Sequence, residues 1–283
     1  MISSTSNPWE APGWHAISRE AQLAKHLLGT GATAIGKANY ANLKGEYYNA
    51  FFGLSIGVER LAKLILIADY AVRNNGDMPT ESVIRKFGHK LFELLNEVEA
   101  ITNTHGLQLQ YVRPSSIIVE KIIECLDSFA NASKGRYANF SGLGEPTLID
   151  HDPVSGWWEE VCELILIDHY YGKRVQKSVE QKAKLVDSFL SPMSQVLYFD
   201  ERAERIDDVY TGSVRTGQTE VTQKYGRYYV LLVIRWLSDM FSSLARKACY
   251  EFGYDAFYGV WEHFETYTVE DQFLKTRKRW PLR

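Results

Sequence analysis

Between Tyr47 and Val72, apolar and aromatic residues recur as Tyr47, Phe51, Leu54, Val58, Leu61, Ile65, Ala68 and Val72, in alternating steps of four and three. That spacing holds one stripe on one side of an α-helix and does not fit the two-residue alternation of a strand. A stripe this long must be covered along its length, so other segments have to supply apolar faces to meet it. The run Leu64 to Ile67 is apolar on every side, which predicts a central helix packed from several directions. The prolines at 8, 12, 79, 114, 146, 153, 192 and 281 bound the stretches where helical periodicity runs, because proline costs ~3 kcal/mol inside a helix.

Further stripes follow. Leu91, Leu94, Leu95, Val98 and Ile101 repeat the helical spacing, with Lys90, Glu93, Glu97 and Glu99 left for solvent. Pro114 with Ser115 or Ser116 reads as a start signal, and Ile118, Ile122, Cys125 and Phe129 mark the next stripe, with Cys125 on its buried face. Trp158, Val161, Cys162, Ile165, Val175, Val179 and Val186 predict one long helix with Lys173, Lys177, Lys182 and Lys184 on the wetter side. Tyr228 to Ile234 is rich enough in aromatic and β-branched residues for a buried strand. Tyr229, Val233, Trp236, Met240 and Leu244 nevertheless carry the helical step well past strand length, so helix is expected. Leu107 to Val112 alternates like a strand but is too short to support a sheet. The Gly-, Ser- and Pro-rich stretch from Ser141 to Gly156 predicts a boundary or long loop. The expectation is an all-α helical bundle, with residues 1–143 as one helical domain and 144–283 as a second helical region packed on it or linked to it.

With 45% hydrophobic residues the chain can bury a core, which excludes full disorder. Its 32 Lys+Arg against 35 Asp+Glu give −3, so composition alone predicts no polyanion or acidic-membrane partner. Cys125, Cys162 and Cys249 are far apart, which excludes a disulfide framework or a Cys-rich zinc module and suits a reducing compartment. Met1 to Asn7 lacks a signal-sequence pattern. The most apolar stretch, Leu54 to Val72, is broken by Glu59, Arg60, Lys63 and Asp69. A soluble cytoplasmic protein without membrane association is expected.

Several motifs bear on chemistry. Gly31 to Lys37 matches the glycine-and-lysine part of a phosphate-binding loop, making a P-loop NTPase one alternative. Ala38 replaces the hydroxyl that would hold magnesium, and the segment Arg19 to Leu28 before it looks helical rather than extended. The seven histidines form no zinc-binding pair, no Glu-x-x-His spacing precedes any of them, and there is no Gly-x-Ser-x-Gly elbow. No metal site and no cofactor are expected. Near the end, Lys275, Arg277, Lys278 and Arg279, with Trp280 among them, could touch phosphates and stack on a base. The alternative is a solvated, frayed terminus, and Glu270 and Asp271 weaken the local field.

Three segments resemble HEPN-type proteins, the nucleotide- and RNA-associated helical domains of prokaryotic toxin, defence and nucleotidyltransferase systems. Phe51 to Leu64, with Glu59, Arg60 and Lys63, resembles their long helix; Phe87-Gly88-His89 with Leu91, Leu94 and Leu95 resembles the helix that follows. Gly135-Arg136-Tyr137-Ala-Asn139-Phe140 is similar to the Arg-Tyr element that closes a later helix. The resemblance covers residues 45 to 143 and implies an all-α domain, often dimeric, which in some members is a metal-independent ribonuclease using an Arg followed, after four to six intervening residues, by a His late in the domain. Here that spacing occurs only at Arg19 and His26, near the start of the chain.

If the helix starting near His89 and the one ending near Ser133 are antiparallel neighbours, His89, Arg136 and Tyr137 share one end of the bundle. Arg136 would then clamp a phosphate, His89 would act as general base, and Tyr137 would contact nucleic acid. Otherwise His89 caps a helix and Arg136 neutralises helix-end carbonyls. The expected function is an RNA- or nucleotide-interacting protein of a prokaryotic defence or toxin system, either a binding protein or an endoribonuclease, acting with a protein partner or as a homodimer. The alternative is a non-enzymatic helical protein that dimerises or holds a partner.

Overall fold

The computed structural model describes residues 7–11, 13–130 and 152–280. Arg136 and Tyr137 therefore lie outside the described residues, as does the Ser141 to Gly156 stretch up to residue 151. The described chain is all-α. Its helices are α1 (Trp14–Ile35), α2 (Gly45–Arg73), α3 (Glu81–Lys86), α4 (Leu91–His105), α5 (Ile117–Ala130), α6 (Pro153–Gly156), α7 (Glu163–His169), α8 (Arg174–Leu190), α9 (Val209–Arg246) and α10 (Asp271–Thr276). A π-helical stretch, Trp157–Cys162, joins α6 to α7. The only sheet among the described residues is a hairpin, β1 (Tyr198–Phe199) with β2 (Arg205–Ile206), paired antiparallel with Tyr198 opposite Ile206. None of the described helices is long and apolar enough to cross a membrane.

The chain forms two compact units. The first comprises Met1–Thr30, Gly53–Ser115 and Leu231–Arg283; the second comprises Gly31–Phe52 and Ser116–Val230. Both draw chain from either side of residue 143.

In the first unit the α2 stripe is buried through Leu54, Val58, Leu61, Ile65 and Ala68, and Leu64 and Leu66 are buried beside it. The α1 residues Ile17, Ala21, Ala24 and Leu28 are also buried, at helical spacing. Gly57 explains itself here: a Cβ would stand 2.8 Å from Leu28 Cγ and 3.1 Å from its backbone nitrogen, so only glycine fits without movement. α4 buries Leu91, Leu94, Leu95, Val98 and Ile101, all five residues of its predicted stripe, and ends at Gly106 in the left-handed conformation (φ 59°). The end of α9 contributes Phe241, whose ring meets Phe264 edge-on at 5.3 Å.

In the second unit Phe51 is in contact with both Phe129 and Trp157, each centroid 5.6 Å away. α6 starts as Pro153 requires: Asp152 accepts from the Ser155 N–H at 3.1 Å, and proline takes the position whose N–H has no helical partner.

Four expectations change. The predicted long helix from Trp158 to Val186 is interrupted, because Gly172 adopts φ +73° and the chain turns between α7 and α8. Val186 is exposed rather than buried, and Cys125 is only half-buried, although desolvation still pushes its thiol up to about 12. Gly31 to Ile35 is the last turn of α1, and the residues before it, from Trp14, are helical too, so the strand and loop that the phosphate-binding motif needs are replaced by one helix. Lys37 instead pairs with Glu46 at 2.8 Å. The P-loop alternative is overturned.

Candidate functional site

The first unit brings together two of the segments singled out in the sequence. Glu59 and Lys63 are one turn apart on α2, and Lys63 Nζ donates to Glu59 Oε1 at 2.7 Å. Gly88, at φ +74°, turns the chain just ahead of α4, and the next residue, His89, brings Nδ1 to 2.8 Å from the same Glu59 oxygen. A carboxylate only accepts, so Nδ1 carries the proton in this contact, which leaves Nε2 as the basic nitrogen of a neutral ring. The His89 side chain is 80% exposed, whereas Glu59 is 20% and Lys63 16% exposed. Among the described residues Nε2 has no partner. The arrangement is a carboxylate-oriented imidazole whose free nitrogen faces solvent, with an ammonium on the same carboxylate oxygen. His89 is thus not a bare helix cap: Lys90 occupies the cap position of α4.

The basic tail is described through residue 280. Trp280 is buried, its ring stacked on Tyr267 at 5.9 Å, so it cannot stack on a base. Lys275 lies 3.7 Å from Asp271, and the Arg277 guanidinium lies 4.6 Å from the Phe273 ring centroid. Lys278 and Arg279 are exposed.

No protein-family model, curated protein or solved structure matches the chain. Two further polar sites of the first unit involve histidine. His105 Nε2 donates to Asp69 Oδ1 at 2.7 Å, and Asp69 also pairs with Arg73. Burial, together with the Lys247 and Arg73 cations, lowers the His105 pKa. Neutral His105 thus satisfies a buried carboxylate and ties α4 to α2. His263 Nε2 lies 3.4 Å from the Ser18 hydroxyl, and desolvation, then Lys25, lowers its pKa. Among the described residues no group of three or more His, Cys, Asp or Glu side chains is placed to hold a metal ion.

A buried polar network in the second unit was not evident in the sequence. In the second unit Arg215 lies 2.9 Å from Glu201 and 3.2 Å from Asp200, with its guanidinium 3.5 Å from the Trp158 ring centroid. Tyr47 donates to Glu201 Oε1 at 2.8 Å, and Trp158 Nε1 donates to the Tyr47 hydroxyl at 2.9 Å. Asp200 accepts from the backbone N–H groups of Arg202 and Glu204, at 2.8 and 2.9 Å, which shapes the hairpin turn. Burial and then Glu201 raise the Tyr47 pKa well above the ordinary tyrosine value. The three charged side chains are buried, and the network pins the hairpin to α2 and α9; among the described residues Arg215 Nε has no hydrogen-bond partner.

Proposed function

We propose that this chain is a HEPN-like helical protein that acts on RNA through His89. The observation that supports the reading is the hydrogen bond from His89 Nδ1 to Glu59, which fixes the tautomer and leaves Nε2 exposed. An imidazole exchanges protons near neutral pH, and the carboxylate on its far nitrogen holds the ring in place. Set against a ribose, Nε2 takes the 2′-hydroxyl proton as the 2′-oxygen attacks the adjacent phosphorus. The P–O5′ bond breaks, the 5′-oxygen takes a proton from water, and the products are a 2′,3′-cyclic phosphate and a 5′-hydroxyl. Glu59 is a positioning residue in this step. Arg136 and Tyr137 remain the proposed phosphate and base contacts, and exposed Lys278 and Arg279 add positive potential.

The test is incubation of single-stranded RNA with the protein in EDTA. Cleavage yielding cyclic-phosphate ends, abolished in His89→Ala and Arg136→Ala, is expected. Glu59→Gln should lower the rate by about 10- to 100-fold and shift the pH profile, since it loosens the ring without removing it. Intact RNA with no binding shift would favour the second reading, a non-enzymatic interaction protein. One specific observation recommends that reading: the exposed apolar surface at the end of α8.

A further inference from the structure

We infer that α8 and the segment leading into β1 bind the surface of an anionic lipid bilayer. α8 is anchored along a narrow line: Val179 meets α9 at Gly217, and Ala183 is the helix's only buried residue. Past that line the surface is strongly apolar. Leu185, Phe189, Met193, Leu197 and Phe199 are 60–78% exposed, and Val186 and Leu190 add to them. Leu185 and Phe189 are one turn apart and share a face, and the chain beyond the helix end extends the patch.

The same stretch concentrates positive charge. Lys173, Arg174, Lys177, Lys182 and Lys184 stand against Glu180 and Asp187 only, so residues 173–199 carry +3 in a chain whose total is −3. Among the described residues none of these five cations forms an ion pair. The overall charge thus conceals a local field of the opposite sign, and the expectation of no acidic surface partner, read from the total, does not extend to this helix.

The chemistry selects the occupant. Large apolar side chains that stand this clear of the protein are placed to enter a fluid apolar phase, since a preformed protein groove would already shelter them in part. Unpaired lysines and an arginine on the same helix suit anionic headgroups, and a charged helix with an apolar face is the pattern of interfacial binding rather than spanning. A second copy of the chain would bring two sets of five cations together. RNA would neutralise the cations but would not stack on Leu185, Leu190, Met193 or Leu197.

The experiment is co-sedimentation of the full chain with phosphatidylcholine vesicles containing phosphatidylserine and with vesicles of phosphatidylcholine alone. Binding to the anionic vesicles, weakened by salt and reduced by about tenfold or more in Phe189→Glu and in Lys182→Glu/Lys184→Glu, is expected. Circular dichroism checks that these exposed substitutions leave the helices intact. Absence of binding to anionic vesicles, or equal binding to neutral ones, overturns the inference. So does a dimer in sedimentation velocity that Phe189→Glu dissolves, which would make a second copy the occupant. Failure here leaves the RNA reading untouched, because His89 lies in the other unit.

Discussion

Replacing Arg215 with methionine removes the cation at the centre of the buried network while keeping much of its apolar stem. Glu201 is fully buried and Asp200 nearly so, with side chains 0% and 4% exposed. Asp200 retains two backbone N–H donors and the Arg202 guanidinium 3.6 Å away, but Glu201 keeps only the Tyr47 hydroxyl. The dominant cost is therefore one buried carboxylate left nearly unpaired, and removing one partner of a buried pair costs about 3–5 kcal/mol. The cation–π contact with Trp158 adds to it in the same direction. Against a typical domain stability of about 5–15 kcal/mol the loss is large. Glu201→Gln should cost less, about 1–3 kcal/mol, since Arg215 still has Asp200 and an amide oxygen. In the double variant the unpaired carboxylate disappears, so its cost should fall below the sum of the single costs by about 1–3 kcal/mol. Urea unfolding followed by far-UV circular dichroism reads these differences, provided the slope is unchanged. Arg215→Met within about 0.5 kcal/mol of wild type, or strictly additive costs, would refute the reasoning.

Three further outcomes are expected. Gly57→Ala should destabilise by about 1–2 kcal/mol in urea unfolding, because the clash with Leu28 outweighs the ~1 kcal/mol that alanine gains at an unobstructed helix position. His263 has a lowered folded pKa, so the unfolded chain binds more protons as pH drops from 7 through the ordinary histidine value of 6.5. Stability should accordingly be fully present above that value and fall on acidification, and His263→Gln should flatten the dependence of the urea midpoint between pH 7.5 and 5.5. Trp280→Ala, which empties the stack on Tyr267, should lower the thermal midpoint without changing RNA affinity, whereas loss of affinity alone would return that ring to a binding role.

The helices that read correctly are those whose apolar spacing is uninterrupted. α4 buries the five residues its pattern names, and the helical step from Tyr229 to Leu244 prevails over the β-branched run from Tyr228. Period alone did not place the break. Ile165 and Val175, the stripe residues on either side of Gly172, are ten apart, a gap that also allows a continuous helix, and a glycine there carries no mark distinguishing a left-handed turn from a tolerated helical position. The small hairpin was illegible for another reason. Asp200 to Arg205 looks like a solvated charge run, and its burial depends on partners at 47, 158 and 215, each ordinary in its own segment. His89 was legible as chemistry, from the Phe87-Gly88-His89 resemblance and its place at a helix start, but not as geometry. Its partner, Glu59, lies 30 residues earlier and looked like half of a routine i to i+4 pair with Lys63.

The central claim is that Glu59 holds His89 with a free, basic Nε2 for RNA. Long-range nitrogen–proton correlation spectra of the histidine rings, recorded with and without a single-stranded RNA oligonucleotide, test it most directly. The account predicts that neutral His89 is the Nδ1–H tautomer, that Glu59→Gln disturbs this state, and that adding RNA shifts the Nε2 resonance. An Nε2–H tautomer, or a His89 signal that RNA leaves unmoved, would contradict it.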